Sequence, residues 1–206
     1  CMSIYQEKVL PHLVNLVCSS KSASRQRKKV VPYAEGEVLE VGVGSGLNFP
    51  FYDVQKITKI WALEPSKGMQ VLAKKAPRDP CLNIEFITLS SEELPFNEAS
   101  IDTIVITYVL CTIPDVRLAL QQMFKVLKPG GKLLFSEHGR APDENIKFLQ
   151  NLVNPFWRRV AGGCNLNRHI PNLLKEAGFI LQKDERMYLP GFRFFSYNYW
   201  GTAVKS

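Results

Sequence analysis

A carboxylate and three glycines stand close together in the segment 38–48, which reads VLEVGVGSGLN, at a spacing that could hold a nucleoside. The glycines are Gly42, Gly44 and Gly46, and Glu40 precedes them. A turn that binds a dinucleotide has the pattern G-x-G-x-x-G, which would require its third glycine at Leu47. Because glycine has no Cβ, such a turn lets the backbone approach a ligand closely. The G-x-G-x-G spacing therefore predicts contact with a ligand that carries no diphosphate.

A second carboxylate, Glu64, ends the next apolar run and directly precedes Pro65. At the tip of a second strand, a carboxylate can accept hydrogen bonds from both hydroxyls of a ribose. Together with Glu40, it predicts a ligand with a ribose diol and a positive charge. S-adenosylmethionine fits this description, because it has adenosine, a sulfonium and an amino-acid tail, and no phosphate. We therefore expect S-adenosylmethionine as cofactor and S-adenosylhomocysteine as product.

Four blocks of sequence carry a resemblance to a known family. They are LEVGVGSG at 39–46, ALEPS at 62–66, SSEELPF at 90–96 and LKPGGKLLFSEHG at 127–139. In this order they resemble the motifs of the class I S-adenosylmethionine-dependent methyltransferases. The resemblance implies an α/β fold, the cofactor named above and transfer of its methyl group to an acceptor.

The resemblance also implies a set of cofactor-binding residues. In the family, the third block usually begins with an acidic residue that takes the adenine amino group, and this chain has a serine there, whose hydroxyl can also accept a hydrogen bond. The residues expected to bind the cofactor are Glu40, Gly42, Gly44, Ser45, Gly46, Asn48, Glu64, Pro65, Ser66, Met69, Ser90, Ser91, Glu92 and Thr107.

Methyl transfer from a sulfonium asks the protein mainly for alignment and exclusion of water, and alignment can supply about 7 to 11 kcal/mol of the barrier. A thiol, phenol or carbon acceptor also benefits from a base with a pKa near 7. We predict His138, which follows the fifth strand, as that base, with Tyr108 beside the acceptor. A structural, hydrogen-bonded role for His138 is the alternative. His12 and His169 are weaker candidates, and Cys111 is interpreted as a packing residue.

Eight aromatic residues lie in or near the segments 154–174 and 197–205, namely Phe156, Trp157, Phe192, Phe194, Phe195, Tyr197, Tyr199 and Trp200. These segments resemble the acceptor region of a branch that includes thiol S-methyltransferases of membrane surfaces and ubiquinone and menaquinone C-methyltransferases. The resemblance implies a small, lipophilic acceptor, while a strand core is the alternative explanation of the aromatics. Two other functions stay open. They are nucleic-acid methylation, against which stands the lack of an Asn-Pro-Pro-aromatic motif, and a non-catalytic cofactor-binding module at a membrane surface.

The pattern of apolar runs predicts the elements that position these residues. Strand-like and helical segments alternate from residue 38, which indicates right-handed parallel crossovers. Helices are expected near 46–52 and over 66–75, 115–127, 143–160 and 167–177. Two final strands, 179–188 and 192–204, follow without an intervening helix. We predict a doubly wound, seven-stranded, mostly parallel sheet with a C-terminal antiparallel hairpin, as in Rossmann-like methyltransferases.

Composition sets the remaining expectations. The 206 residues, 46% of them apolar, predict one methyltransferase domain at 35–206, preceded by a helical lid and basic linker at 1–34. Basic residues crowd into 21–29, and we interpret them as a solvated segment, with phosphate or membrane contact as the alternative. The five scattered cysteines form no C-x-x-C, so neither a metal nor a disulfide framework is expected. No secretory pattern is present, which favours a cytoplasmic location; the oligomeric state is not set by the sequence.

Overall fold

The structure, a computed structural model, describes residue 15 and residues 18–205. Its described part contains a seven-stranded sheet in the order β3-β2-β1-β4-β5-β7-β6. The strands are β1 (Gly36–Val41), β2 (Ile57–Leu63), β3 (Ile84–Ile87), β4 (Ile101–Thr107), β5 (Leu127–His138), β6 (Ile180–Tyr188) and β7 (Tyr197–Val204). The helices are α1 (Lys21–Arg27), α2 (Lys67–Lys75), α3 (Val116–Val126), α4 (Glu144–Val160), α5 (Ile170–Glu176) and α6 (Arg193–Ser196).

The pairing of the strands confirms the predicted fold class. Strands β1 to β5 pair in parallel, whereas β7 runs antiparallel to both β5 and β6. Strand β7 therefore lies between its two neighbours, and β6 forms the edge of the sheet. This is the mostly parallel sheet with a C-terminal antiparallel hairpin that the sequence predicts.

Both faces of the sheet are covered by apolar residues. Successive side chains of a strand point to opposite faces, so Leu39 and Ile104 join the larger apolar cluster while Val38 and Val105 join the other. The last four positions of β1 are buried, and they include Glu40. Strands buried on both faces are typical of parallel sheets. The centre of the sheet is consequently a rigid base for whatever its strand ends carry.

The order of the strands reverses between β1 and β4. From β1 the chain proceeds outward to β2 and β3, then returns to place β4 on the other side of β1. In open α/β sheets, ligands bind at this switch point, outside the carboxyl ends of the strands. The turns after β1, β2 and β4 all meet there.

Two local predictions are wrong. The segment 46–52 forms turns and a single 3-10 helix at Phe49–Phe51, because positive φ angles at Gly44 and Gly46 keep the backbone from entering an α-helix. The last predicted strand, 192–204, begins with the short helix α6, whose Phe194 and Phe195 pack edge to face with ring centroids 4.8 Å apart. Only Tyr197–Val204 continues as a strand.

The N-terminal region of the described chain is tied to the sheet. The side chain of Ser20 accepts a hydrogen bond from the backbone N–H of Ala23 and thereby caps α1. Val30 and Val31 are buried in the same apolar cluster as Val38 of β1. The predicted boundary at residue 35 stays a prediction, and His12 lies outside the described residues. No helix in the described ranges has the length and apolar character required to cross a bilayer.

Candidate functional site

A cavity of about 210 Å³ lies at the switch point. Its walls come from the turn after β1, the tip of β2, the start of α2, the turn after β4 and the turn after α4. Eight of the residues predicted from sequence line it. They are Gly42, Gly44, Ser45, Asn48, Glu64, Met69, Thr107 and Tyr108. The structure thus brings together residues from the separate segments 42–48, 64–69 and 107–108.

The glycine turn presents bare backbone to the cavity. A Cβ placed on Gly44, whose φ is +57°, would meet only the Met69 side chain at 3.5 Å and the Gly42 carbonyl at 3.9 Å. The position therefore faces space that a side chain would fill. Gly42 differs, because its Cβ would come within 2.2 Å of Val109. Backbone N–H groups of Gly42 and Val43 donate to the Leu63 carbonyl, which fixes the turn against β2.

Glu64 joins the two turns at the cavity. Its Oε2 accepts from the Gly44 N–H at 3.0 Å, and its Oε1 accepts from the Ser66 N–H at 2.9 Å. Burial raises the pKa of this carboxyl, and the two backbone hydrogen bonds oppose that shift. Each oxygen keeps a second lone pair, so the carboxylate can still accept hydrogen bonds from a ligand in the cavity.

Glu40 does not line the cavity and lies beneath the turn. Its Oε1 accepts from Asn48 Nδ2 at 3.0 Å, and its Oε2 accepts from the Tyr52 hydroxyl at 2.8 Å. Asn48 Nδ2 also donates to Thr107 Oγ1 at 3.0 Å. Burial raises the pKa of Glu40 to about 7. The geometry gives Glu40 the task of holding Asn48 and Thr107 at the cavity wall.

The remaining predicted cofactor residues lie outside the cavity lining. The Cβ position of Gly46 faces Phe49 and Ala76, so this glycine allows close packing behind the turn. Ser66 caps α2 by accepting from the Met69 N–H. Ser91 is buried and donates to Glu92. The positions not brought into the lining are Glu40, Gly46, Pro65, Ser66, Ser90, Ser91 and Glu92.

One wall of the cavity comes from residues that sequence reasoning missed. Asn15 accepts a hydrogen bond from the Ser45 hydroxyl at 2.5 Å, and Cys18 lies beside it on the lining. Arg27 donates to the Cys18 carbonyl at 2.7 Å, and its guanidinium lies 5.1 Å from the centre of the Tyr108 ring. Arg27 is only 4% exposed, so the interpretation of the whole basic segment as solvated is wrong at this position.

Tyr108 occupies a strained position at the end of β4. Its φ of +57° is uncommon for a residue other than glycine, and its hydroxyl donates to Asn198 Oδ1 at 2.8 Å. Burial raises the pKa of this phenol, although Arg27 opposes the shift. The hydroxyl is therefore a hydrogen-bond donor at neutral pH and is unsuited to act as a base there. Such strain is found where a site demands a particular geometry.

His138 lies behind the cavity wall, away from its lining. Its Nε2 is 3.3 Å from Cys164 Sγ, and ligand atoms of Cys111, His138 and Cys164 all lie within 4.8 Å of one another. Burial alone would lower the pKa of His138, and the neighbouring Cys164 outweighs it and raises that pKa. Sequence spacing gave no sign of this cluster, because 27 and 26 positions separate its members.

The chemistry of the lining suits the ligand that the sequence predicts. Gly44 offers open space against bare backbone, Glu64 offers carboxylate oxygens, and Thr107 and Asn48 offer polar groups on the facing wall. Arg27 is the one cationic residue of the lining among the described residues, and it is engaged with Cys18 and Tyr108. A diphosphate would call for more positive charge, whereas an adenosyl sulfonium would not.

Comparisons with known proteins agree with this reading. Residues 39–135 match the family described as "Methyltransferase domain". The chain is 30% identical to human "Thiol S-methyltransferase TMT1A" over 84% of the chain and 72% of that relative. It is 34% identical to rat "Thiol S-methyltransferase TMT1B" over 70% of the chain and 60% of that relative, so it spans less than two thirds of the latter.

A solved structure from Aquifex aeolicus, titled "SAM dependent methyltransferase", has the same fold. It superposes with a TM-score of 0.68 at 15% identity and covers 95% of this chain and 98% of its own. At such low identity the likeness concerns the fold alone.

Proposed function

Since the chain belongs to the class I S-adenosylmethionine-dependent methyltransferases, we propose that it methylates the sulfur of a small, lipophilic thiol. The observation that carries the cofactor assignment is the unfilled position at Gly44, held against the carboxylate of Glu64. The thiol is suggested by the names of the two relatives at 30% and 34% identity. A quinol is the second acceptor class, favoured by the aromatic C-terminal segments and by a relative named "Ubiquinone/menaquinone biosynthesis C-methyltransferase UbiE" at 31% identity.

The cofactor residues in this proposal fall into two groups. Gly44, Glu64 and Asn48 contact the cofactor directly, with Glu64 accepting from the ribose hydroxyls. Glu40 is a positioning residue, because it accepts a hydrogen bond from Asn48 Nδ2 at 3.0 Å and acts through that side chain. Ser90, Ser91 and Glu92 stay predicted adenine contacts, and none of them lines the cavity.

S-adenosylmethionine supplies an electrophilic methyl group on a sulfonium, which leaves as a neutral thioether. The protein's own contribution is alignment and exclusion of water. Tyr108 and Thr112 line the cavity from the turn after β4, and Asn15 and Cys18 line it from the N-terminal segment. The attacking sulfur must lose its proton, and a thiol as acidic as that of cysteine, with a pKa of about 8.5, does so partly in water. His138 has no contact with the cavity, so the proposal does not require it as a base.

A lipophilic acceptor agrees with an apolar stripe on α4. Phe148, Leu152 and Phe156 recur every fourth residue on one face of the helix and are 71%, 67% and 66% exposed. Arg158 and Arg159 are exposed at the same end of the helix. An apolar face flanked by cations is typical of helices that lie on an anionic lipid surface. We propose peripheral contact with such a surface, which would deliver lipophilic thiols to the enzyme.

The proposed activity is tested with the full chain, S-adenosylmethionine and a panel of thiol, quinol, phenol and amine acceptors, with release of S-adenosylhomocysteine as readout. We expect saturable turnover with lipophilic thiols, at a rate that rises with pH towards the pKa of the thiol. The matched control replaces the thiol with its oxygen analogue. Turnover with quinols alone would replace the acceptor class, and the lack of saturable S-adenosylhomocysteine binding by titration calorimetry would contradict the whole proposal.

The division into a lid at 1–34 and a catalytic domain at 35–206 is part of the same proposal. Its support is the position of Asn15 and Cys18 on the cavity wall. The cavity of about 210 Å³ is smaller than the roughly 300 to 1,000 Å³ common for sites that enclose organic ligands. Entry of the cofactor would therefore require this wall to move outward. A cytoplasmic location stays a prediction.

A further inference from the structure

We propose that Cys111, His138 and Cys164 form a binding site for a thiophilic divalent cation of the zinc class. The three ligand atoms lie within 4.8 Å of one another, at most about 1 Å farther apart than the ligand atoms of one tetrahedral zinc ion. Zinc bonds to sulfur at about 2.3 Å and to imidazole nitrogen at about 2.0 to 2.1 Å. A small adjustment of the side chains would bring all three atoms onto one tetrahedron. This inference does not depend on the proposed function.

The composition of the cluster selects the kind of ion. Two thiolates and an imidazole are soft and borderline ligands, which favour zinc over magnesium or calcium. The cluster contains no carboxylate, the ligand that hard cations prefer. Two thiolates also balance the charge of a divalent cation, so the filled site would be neutral. Neutrality matters here because Cys111 is buried and the other two ligands are largely shielded.

The fold holds the three ligands from three different elements. Cys111 stands in the turn after β4, His138 ends β5, and Cys164 follows α4. Asn165 ties two of these segments together, because its backbone N–H and its Nδ2 both donate to the Cys111 carbonyl at 2.8 Å. Arg168 donates to the carbonyls on either side of Cys111, at Leu110 and Ile113. The ligand geometry is therefore fixed by contacts that do not involve the ligand atoms.

The site would have an open coordination position. Within the described ranges, the structure brings three protein ligands together, and zinc sites with three protein ligands keep their fourth position for water or another small molecule. The segments that carry the thiols also form cavity wall, through Thr112 on one side and Ala161 and Gly162 on the other. A bound ion would thus fasten two parts of the wall to the end of β5.

Direct metal binding by the reduced, full-length chain tests the site. The protein is freed of metal with a chelator, then titrated with zinc against a chromophoric competitor, and separately with cobalt. We expect one ion per chain with submicromolar affinity and, for cobalt, the charge-transfer absorption of thiolate ligands. Cys164→Ser and His138→Gln should each weaken zinc binding by more than about 100-fold. The matched control is Cys81→Ser, because Cys81 is an exposed free cysteine that does not belong to the cluster.

A second measurement, on the unsubstituted protein, tests the site even if the variants fail to fold. Zinc should protect Cys111 and Cys164 from alkylation, while Cys81 stays reactive, and a chelator should remove the protection. Two results would overturn the proposal. One is zinc affinity that is the same in Cys164→Ser as in the parent chain. The other is a Cys111–Cys164 disulfide, found by mass spectrometry in protein purified without reductant, that persists when zinc is supplied.

Discussion

The cofactor side of the molecule and the side formed by β5 and α4 use polar groups in opposite ways. Around β1, β2 and β4, each buried carboxylate oxygen has a protein donor, as with Glu40 and Glu64. On the other side, Glu137 Oε2 and His138 Nδ1 are buried without a partner in the described part of the chain. The apolar face of α4 is likewise uncovered there.

The difference indicates which side has a fixed geometry and which side is available to a partner. The paired carboxylates fix one geometry, as a site for a constant cofactor requires. Unpaired groups and exposed apolar surface are costly unless something else uses them. We interpret the second side as the part that meets variable partners, namely an acceptor, a cation or a lipid surface. If changes on the two sides had the same effects, this interpretation would be wrong.

The largest effect is expected at the glycine turn. Gly44→Ala places a methyl group in ligand space and should weaken S-adenosylhomocysteine binding by about 2 to 3 kcal/mol, or roughly 30- to 150-fold. Gly130→Ala is the matched control, because Gly130 also has a positive φ, of +74°, and its Cβ would meet nothing within 4 Å. Both variants should lose about 1 kcal/mol of stability to backbone strain. Titration calorimetry measures the loss of affinity, and thermal unfolding measures the loss of stability. Equal binding of S-adenosylhomocysteine by both variants would contradict a cofactor contact at Gly44.

The next effect concerns the carboxylate between the turns. Glu64→Gln removes a charge that accepts from Gly44 and from the ribose, and we expect cofactor affinity to fall by about 10-fold. Glu85→Gln serves as control, since Glu85 forms an exposed ion pair with Lys59, and such pairs contribute little. Calorimetric titration measures both. Unaltered affinity in Glu64→Gln would mean that the ribose lies elsewhere.

A smaller effect is expected from Glu40 as pH changes. Burial raises its pKa in the folded protein to about 7, so the folded state holds this proton more tightly than the unfolded state. The free energy of unfolding should therefore fall as pH rises from about 4.5 to about 7, because over that range the unfolded state loses this proton before the folded state does. Urea unfolding at pH 5 and pH 7.5 should show a shallower decline in Glu40→Gln. Burial also raises the pKa of Glu137 to about 7, so Glu137 should still contribute to the pH dependence of stability in the Glu40→Gln variant.

The smallest effect is expected on the open side. Leu152→Glu and Phe156→Glu should each reduce co-sedimentation with anionic vesicles by about threefold, because each removes apolar surface from the stripe. Cofactor affinity should stay as in the parent chain. Val71→Glu is the control, since Val71 is 53% exposed on α2, outside the stripe. Equal sedimentation of all three variants would remove α4 as the contact face.

The same division explains what sequence could predict. The positions of Gly44 and Glu64 at the cavity can be predicted, because strand ends and glycine spacing are local features that the fold brings together at one edge of the sheet. Arg27 was misjudged, because a run of basic residues looks solvated, whereas Tyr108 and the Cys18 carbonyl hold its guanidinium in the interior. The short helix α6 was missed, since its aromatics also suit a strand.

The thiol–imidazole cluster lay beyond local reasoning for a different reason. Cys111, His138 and Cys164 belong to three elements, and only the parallel packing of β4 and β5 with the turn after α4 makes them neighbours. No spacing rule relates such positions. Ser90 and Ser91 follow the order of the family's blocks and stay predicted adenine contacts, although they lie outside the cavity lining.

Strand β7 is made last among the seven and nevertheless sits inside the sheet, between β5 and β6. During synthesis, β6 therefore emerges with no neighbour to pair with and must wait for Tyr197–Val204. Because β7 supplies hydrogen-bond partners to both β5 and β6, this half of the sheet should form late in folding and in one step. A nascent chain stalled before Tyr197 would carry unpaired strand edges at β5 and β6, and such edges promote aggregation.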